Sequence, residues 1–134
     1  MGNDEQMKEK YMLFQRLQQQ LEQVSQHLEM FNQQSADLDI SINAVKELEK
    51  TELNTELLAP IADGIFLKGK LEDNKKLIVN VGSGTTVEKT IPEVVLLLEQ
   101  QKVEVNKRLM EADEVMQALS KEAMKLYQEV EESQ

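Results

Sequence analysis

From Phe14 to Val45 the apolar residues advance in alternating steps of three and four: Phe14, Leu17, Leu21, Val24, Leu28, Phe31, Leu38, Ile42 and Val45, with Ser35 filling one place. That is a sustained heptad seam with Phe14, Leu21, Leu28, Ser35 and Ile42 at a, and Leu17, Val24, Phe31, Leu38 and Val45 at d. A helix with so narrow an apolar stripe buries it only against another helix. The C-terminal third repeats the pattern through Val95, Leu98, Val105, Leu109, Ala112, Met116, Leu119, Ala123, Leu126 and Val130, interrupted by Lys102. Two such helices joined by a short middle run antiparallel, each reaching roughly 60 Å at 1.5 Å per residue. The expected alignment sets Ile42 near Lys102, Leu28 near Met116 and Phe14 near Val130, with Lys102 snorkelling out of the seam. Near the end of the first helix the apolar residue is Leu48 where the repeat calls for Glu49, so the seam drifts there.

The middle, residues 53–91, loses the helical period. Leu57-Leu58-Ala59-Pro60-Ile61 suits an edge strand because proline cannot donate to a ladder. Asp63-Gly64 is a hairpin turn, and Ile65 to Leu71 returns as a strand. Leu77-Ile78-Val79-Asn80-Val81 is rich in β-branched residues, Gly82-Ser83-Gly84 turns, and Thr86 to Thr90 comes back. The expectation is two hairpins in succession. Gly82-Ser83-Gly84 lacks the Gly-Lys-Ser/Thr of a phosphate loop, and Val87 stands where a dinucleotide fingerprint needs its third glycine, so it reads as a turn. Thr90-Ile91-Pro92-Glu93 has the form of a capping box and starts the second helix. Val94 to Leu98 is apolar all round, which implies that the base of this helix packs on the hairpins as well.

Composition narrows the function. A net charge of −10 opposes binding to a phosphate backbone. With no cysteine there is no disulfide, thiolate nucleophile or thiolate metal site. The start of the chain lacks the apolar run of a signal peptide and no stretch is long enough to span a bilayer, so a cytoplasmic protein without a membrane or nucleic-acid partner is expected. His27, the one histidine, falls at g beside the seam without converging ligands and reads as a flanking side chain; no metal or cofactor is expected. No base, nucleophile and oxyanion donor converge, which argues against an enzyme. Tyr11, Met12 and Leu13 lie off the seam ahead of Phe14, and Met124 and Tyr127 lie off it around Leu126; the antiparallel alignment gathers them at one tip. Exposed Met and Tyr in such numbers form an adaptable binding surface.

The coiled-coil arms, the two hairpins carrying Leu57-Leu58-Ala59-Pro60-Ile61, Phe66-Leu67-Lys68-Gly69-Lys70-Leu71 and Ile78 to Lys89, and the second arm together closely resemble the alpha class of archaeal-type prefoldin subunits. Ala59 where the class has a valine-like residue before proline, and Thr85-Thr86 after the glycine turn, are departures. The resemblance implies an α+β fold: a long antiparallel two-helix coiled coil joined by two β-hairpins that form part of an oligomeric β-barrel platform. It implies one domain over 1–134, with arms at 5–52 and 92–132 and oligomerising hairpins at 53–91. It also implies an ATP-independent holdase that binds unfolded or nascent chains and passes them to a group II chaperonin. The partners would be beta-class subunits in a hexamer of two alpha and four beta chains. The client-binding tip would comprise Met7, Tyr11, Met12, Leu13, Phe14, Met124, Leu126, Tyr127 and Val130. Assembly would use Leu57, Leu58, Ile61, Ile65, Phe66, Leu67, Leu71, Leu77, Ile78, Val79, Val81 and Val87. The rival expectation is a structural or tethering coiled coil whose tips bind one specific partner.

Overall fold

The computed structural model describes residues 2–132, which run α1 (Gly2–Lys50), β1 (Glu56–Ala62), β2 (Ile65–Lys70), β3 (Lys76–Gly82), β4 (Thr85–Thr90) and α2 (Ile91–Glu132). The fold is α+β, with two long helices and two antiparallel hairpins, as the periodicity predicts. Two compact units are distinguished along the chain.

The first unit holds α1 through Ala36 and α2 from Val103 onward. Its core is Leu17, Ala123 and Leu126, with Phe14, Leu21 and Leu119 packed against them. The hydroxyl of Ser35 donates to the side-chain oxygen of Asn106 at 3.1 Å, so the one polar a position has a partner. Leu17 facing Ala123 and Leu126, with Phe14 beside Tyr127, gives a register about one helical turn from the expected one, which placed Phe14 opposite Val130.

The second unit runs from Asp37 to Lys102 and contains both hairpins. Lys102 leaves the seam to pair with Asp39, the snorkelling expected of it. Ile42 is buried and Leu48 half-buried while Glu49 is exposed, so the drift of the seam is real. The last turn of α1 closes on Thr51, whose amide donates to Leu48 O and whose hydroxyl donates to Glu47 O, and Asn54 then turns the chain with a φ of 67°. Periodicity carries no information about such a local stop.

The start of α2 is set by Thr90. Its hydroxyl accepts from the Glu93 amide at 3.3 Å and donates to the Glu93 carboxylate at 3.1 Å. In a full capping box the carboxylate would reach the Thr90 amide; here Thr90 is the last paired residue of β4, opposite Lys76. Ile91, only 1% exposed, donates its amide to Lys75 O, and Val94, one turn further along α2, is buried, as is Leu71 after β2. Leu71 exchanges hydrogen bonds with Asn54 and Thr55, and the Asp73 carboxylate accepts from the amides of Lys75 and Lys76, which holds its pKa below the ordinary aspartate value. Leu96, by contrast, is 56% exposed: Val94 is covered, but the outward side of this apolar run is not.

Candidate functional site

Two kinds of apolar surface are left uncovered. In the hairpins, residues paired across strands share a face, and faces alternate along each strand. Leu57, Ala59 and Leu67 therefore lie on one face of β1–β2 together with Ile65, a face with no charged side chain. The other face carries Glu56, Lys68 and Lys70 beside Leu58, Pro60 and Phe66. In β3–β4, Leu77, Val79 and Val87 share one face, and Ile78 lies among Lys76, Asn80, Thr86 and Glu88 on the other. Ile61 and Val81 are the extra residues of bulges next to the turns.

Each hairpin is a separate two-stranded sheet, so all four strands have an unpaired edge. Leu58, Ile61, Ile65, Phe66, Leu67, Ile78 and Val81 are each more than half exposed, Leu57 and Val87 less so, and Leu77 and Val79 half-buried. Leu71 is the exception among the residues expected to assemble: it is buried at the junction, because it follows β2 and hydrogen-bonds to Asn54 and Thr55. Full burial of a side chain of this size is worth about 1.5–3 kcal/mol, so covering seven that are half exposed gains on the order of 7 kcal/mol. That lies within the cost of association, roughly 4–15 kcal/mol, so one hairpin pair needs help from edge pairing or further copies.

The second surface is built by the start of α1 and the last turns of α2. Tyr11, Met12, Leu13, Met124 and Tyr127 are all exposed, Met12 by 65%. Phe14, Met7 and Val130 are half-buried. Leu126 is not part of this surface: at 7% exposed it occupies the core, because its seam position faces Leu17 and Ala123. The rings of Phe14 and Tyr127 lie 6.1 Å apart at 39°, and Lys10 pairs with Glu129 at 3.7 Å, tying the two helices here. Two open grooves result. One of about 420 Å³ is lined by Phe14, Ala123, Met124, Tyr127, Gln128 and Glu131; the other, about 510 Å³, by Met7, Lys8, Tyr11, Met12 and Val130. Both are shallow and mostly apolar, suited to side chains and not to an enclosed small molecule.

Among the described residues no cluster of His, Cys, Asp or Glu is placed to hold a metal ion, and no helix is long and apolar enough to cross a membrane. His27 is exposed, its ring 6.4 Å from that of Phe31 one turn on. The sequence reading did not single out Met30, Ile40, Val103 and Met110, all exposed. Leu96, Val103 and Met110 follow one another at heptad spacing, an exposed row off the seam that was visible in the sequence, whereas Met30 and Ile40 have no apolar partner at that spacing.

The prefoldin subunit family model matches residues 17–134. The chain belongs to the prefoldin family. It is similar to prefoldin subunit alpha of Pyrococcus horikoshii, at 34% identity over 90% of this chain and 84% of that one. It is also similar to prefoldin subunit alpha 1 of Methanocaldococcus jannaschii, at 30% identity over 85% and 90% of the two chains. Among solved structures, a filamentous PFD from Methanocaldococcus jannaschii superposes with a TM-score of 0.75 at 18% identity, covering 86% of this chain and 95% of that chain. These likenesses make the chain a prefoldin chaperone subunit of the archaeal alpha type and not an enzyme, with the prefoldin fold of coiled coil and hairpins.

Proposed function

We propose that this prefoldin subunit is an ATP-independent cytoplasmic holdase. It captures unfolded or nascent chains on the surface formed by Tyr11, Met12, Leu13, Met124 and Tyr127, and passes them to a group II chaperonin. The hairpin segment, residues 53–91, serves assembly with beta-class subunits into a hexamer of two alpha and four beta chains, and the arms serve capture. The observation that carries the reading is the group of exposed Met, Tyr and Leu where α1 begins and α2 ends, beside the buried core of Leu17, Ala123 and Leu126. Methionine and tyrosine adapt to many apolar shapes, which suits a site for non-native chains.

The experiment measures light scattering of several unrelated unfolding proteins in the presence of the purified complex. Suppression of aggregation is expected, and its loss when Tyr11, Met12, Leu13, Met124 and Tyr127 are all changed to Ser, with the assembly mass unchanged in native mass spectrometry. Full suppression by that variant would remove these residues from the mechanism. Protection of a single protein only would favour the tethering alternative.

A further inference from the structure

We infer that the groove lined by Phe14, Met124, Tyr127 and Glu131 selects apolar client segments that carry an adjacent arginine; this rests on capture occurring at this surface. Tyr127 and Glu131 are four apart on α2, so the carboxylate stands one turn beyond the ring on the same side of the helix. Both line the groove, whose floor is otherwise Phe14, Ala123, Met124 and Gln128. The tilted contact with Phe14 holds the Tyr127 ring by one side and leaves more than half of the residue exposed.

An aromatic face beside a carboxylate is a receptor for a guanidinium: the ring attracts the cation, the carboxylate accepts its N–H donors, and the apolar floor takes the neighbouring side chain. Arginine suits this better than lysine because its planar head stacks and is weakly hydrated. The last turn of α2 has no basic residue to neutralise Glu131. The second groove has Lys8 on its wall and lacks a carboxylate, so it would repel the same cation. Charge thus divides two otherwise similar apolar grooves.

The test uses two fluorescein-labelled disordered peptides with the same Phe-Leu-Phe core, flanked by arginine in one and by uncharged citrulline in the other. Fluorescence anisotropy is read on the assembled full-length protein and on the Glu131→Gln and Glu132→Gln variants. The arginine peptide is expected to bind about three- to fivefold more tightly. Glu131→Gln should abolish that preference and leave the citrulline peptide unaffected, whereas Glu132→Gln, the same charge change outside the groove lining, should keep most of it. Equal affinities in the parent protein, or an equal loss in both variants, would overturn the inference and leave capture at the surface standing. Binding of neither peptide would overturn the capture reading and the inference together.

Discussion

The two hairpins are near copies with different surroundings. Each has a two-residue turn, a bulge one residue before the last pair, and six paired positions. In β3–β4, both turn residues take positive φ, Ser83 at 52° and Gly84 at 74°, matching the twist of the strands, and Asn80 accepts from the Gly82 amide. In β1–β2 only Gly64 of the turn pair does so, and Pro60 removes one donor from β1. Leu77 and Val79 are half-buried, while every residue of β1 and β2 is exposed. Local interactions hold the second hairpin in place; the first has little within its own chain to rest on. The same motif can therefore be an anchor in one place and a docking element in the other.

The strongest way to break this contrast is a charge on the apolar face of the first hairpin. Leu67→Glu should shift the assembled species to free subunit by native mass spectrometry while circular dichroism keeps the helices; assembly at parent levels would mean that this face meets solvent. Ile78→Glu, placed among charged and polar neighbours on the other hairpin, should have a much smaller effect.

Next in size is the cap. Thr90→Ala removes the side chain that ties β4 to α2 and should cost about 1 kcal/mol in thermal or denaturant unfolding. Thr55→Ala, which loses a hydroxyl bond to Glu52 O in an exposed connection, should cost less; equal losses would erase the claimed difference in local support.

The smallest effect concerns Asp73. Its carboxyl pKa is lowered chiefly by the amides of Lys75 and Lys76, so its contribution to stability is present above the unfolded value and is lost as pH falls through the lowered folded value. Asp73→Asn should flatten the acid limb of the stability profile slightly. An unchanged profile would remove this turn from the anchoring of β3.

Much of this architecture was legible from residues alone. The helices announce themselves by heptads, and the hairpins by β-branched runs between Asp63-Gly64 and Gly82-Ser83-Gly84. The helix register was not legible, because two heptad seams pair about as well when shifted by one turn, and only contacts such as that of Phe14 with Tyr127 distinguish the registers. At the functional surface the off-seam positions of Tyr11, Met12 and Met124 marked them as exposed, whereas the family resemblance drew Leu126 into the tip although its own heptad position is on the seam, where it is buried. Leu71 was misplaced for a similar reason: its alternation with Leu67 points to a strand face, while its backbone bonds draw it into the junction. The i, i+4 spacing of Tyr127 and Glu131 on α2 was there to be read, but that Phe14 of α1 joins them in one groove emerges only once both helices are in place.

Thr90 belongs to a ladder and to a helix cap at once, and Ile91 follows as the first residue of α2, whereas residues 51–55 separate α1 from β1. In mechanical terms one joint is a weld and the other a folded link, held shut by the bonds of Thr51, Asn54 and Thr55. A pull or twist on β4 reaches α2 with no residue between, while the same load on β1 passes first through those bonds on its way to α1. Movement of the hairpins within an assembly would thus steer the second helix, and the first would follow through their shared seam.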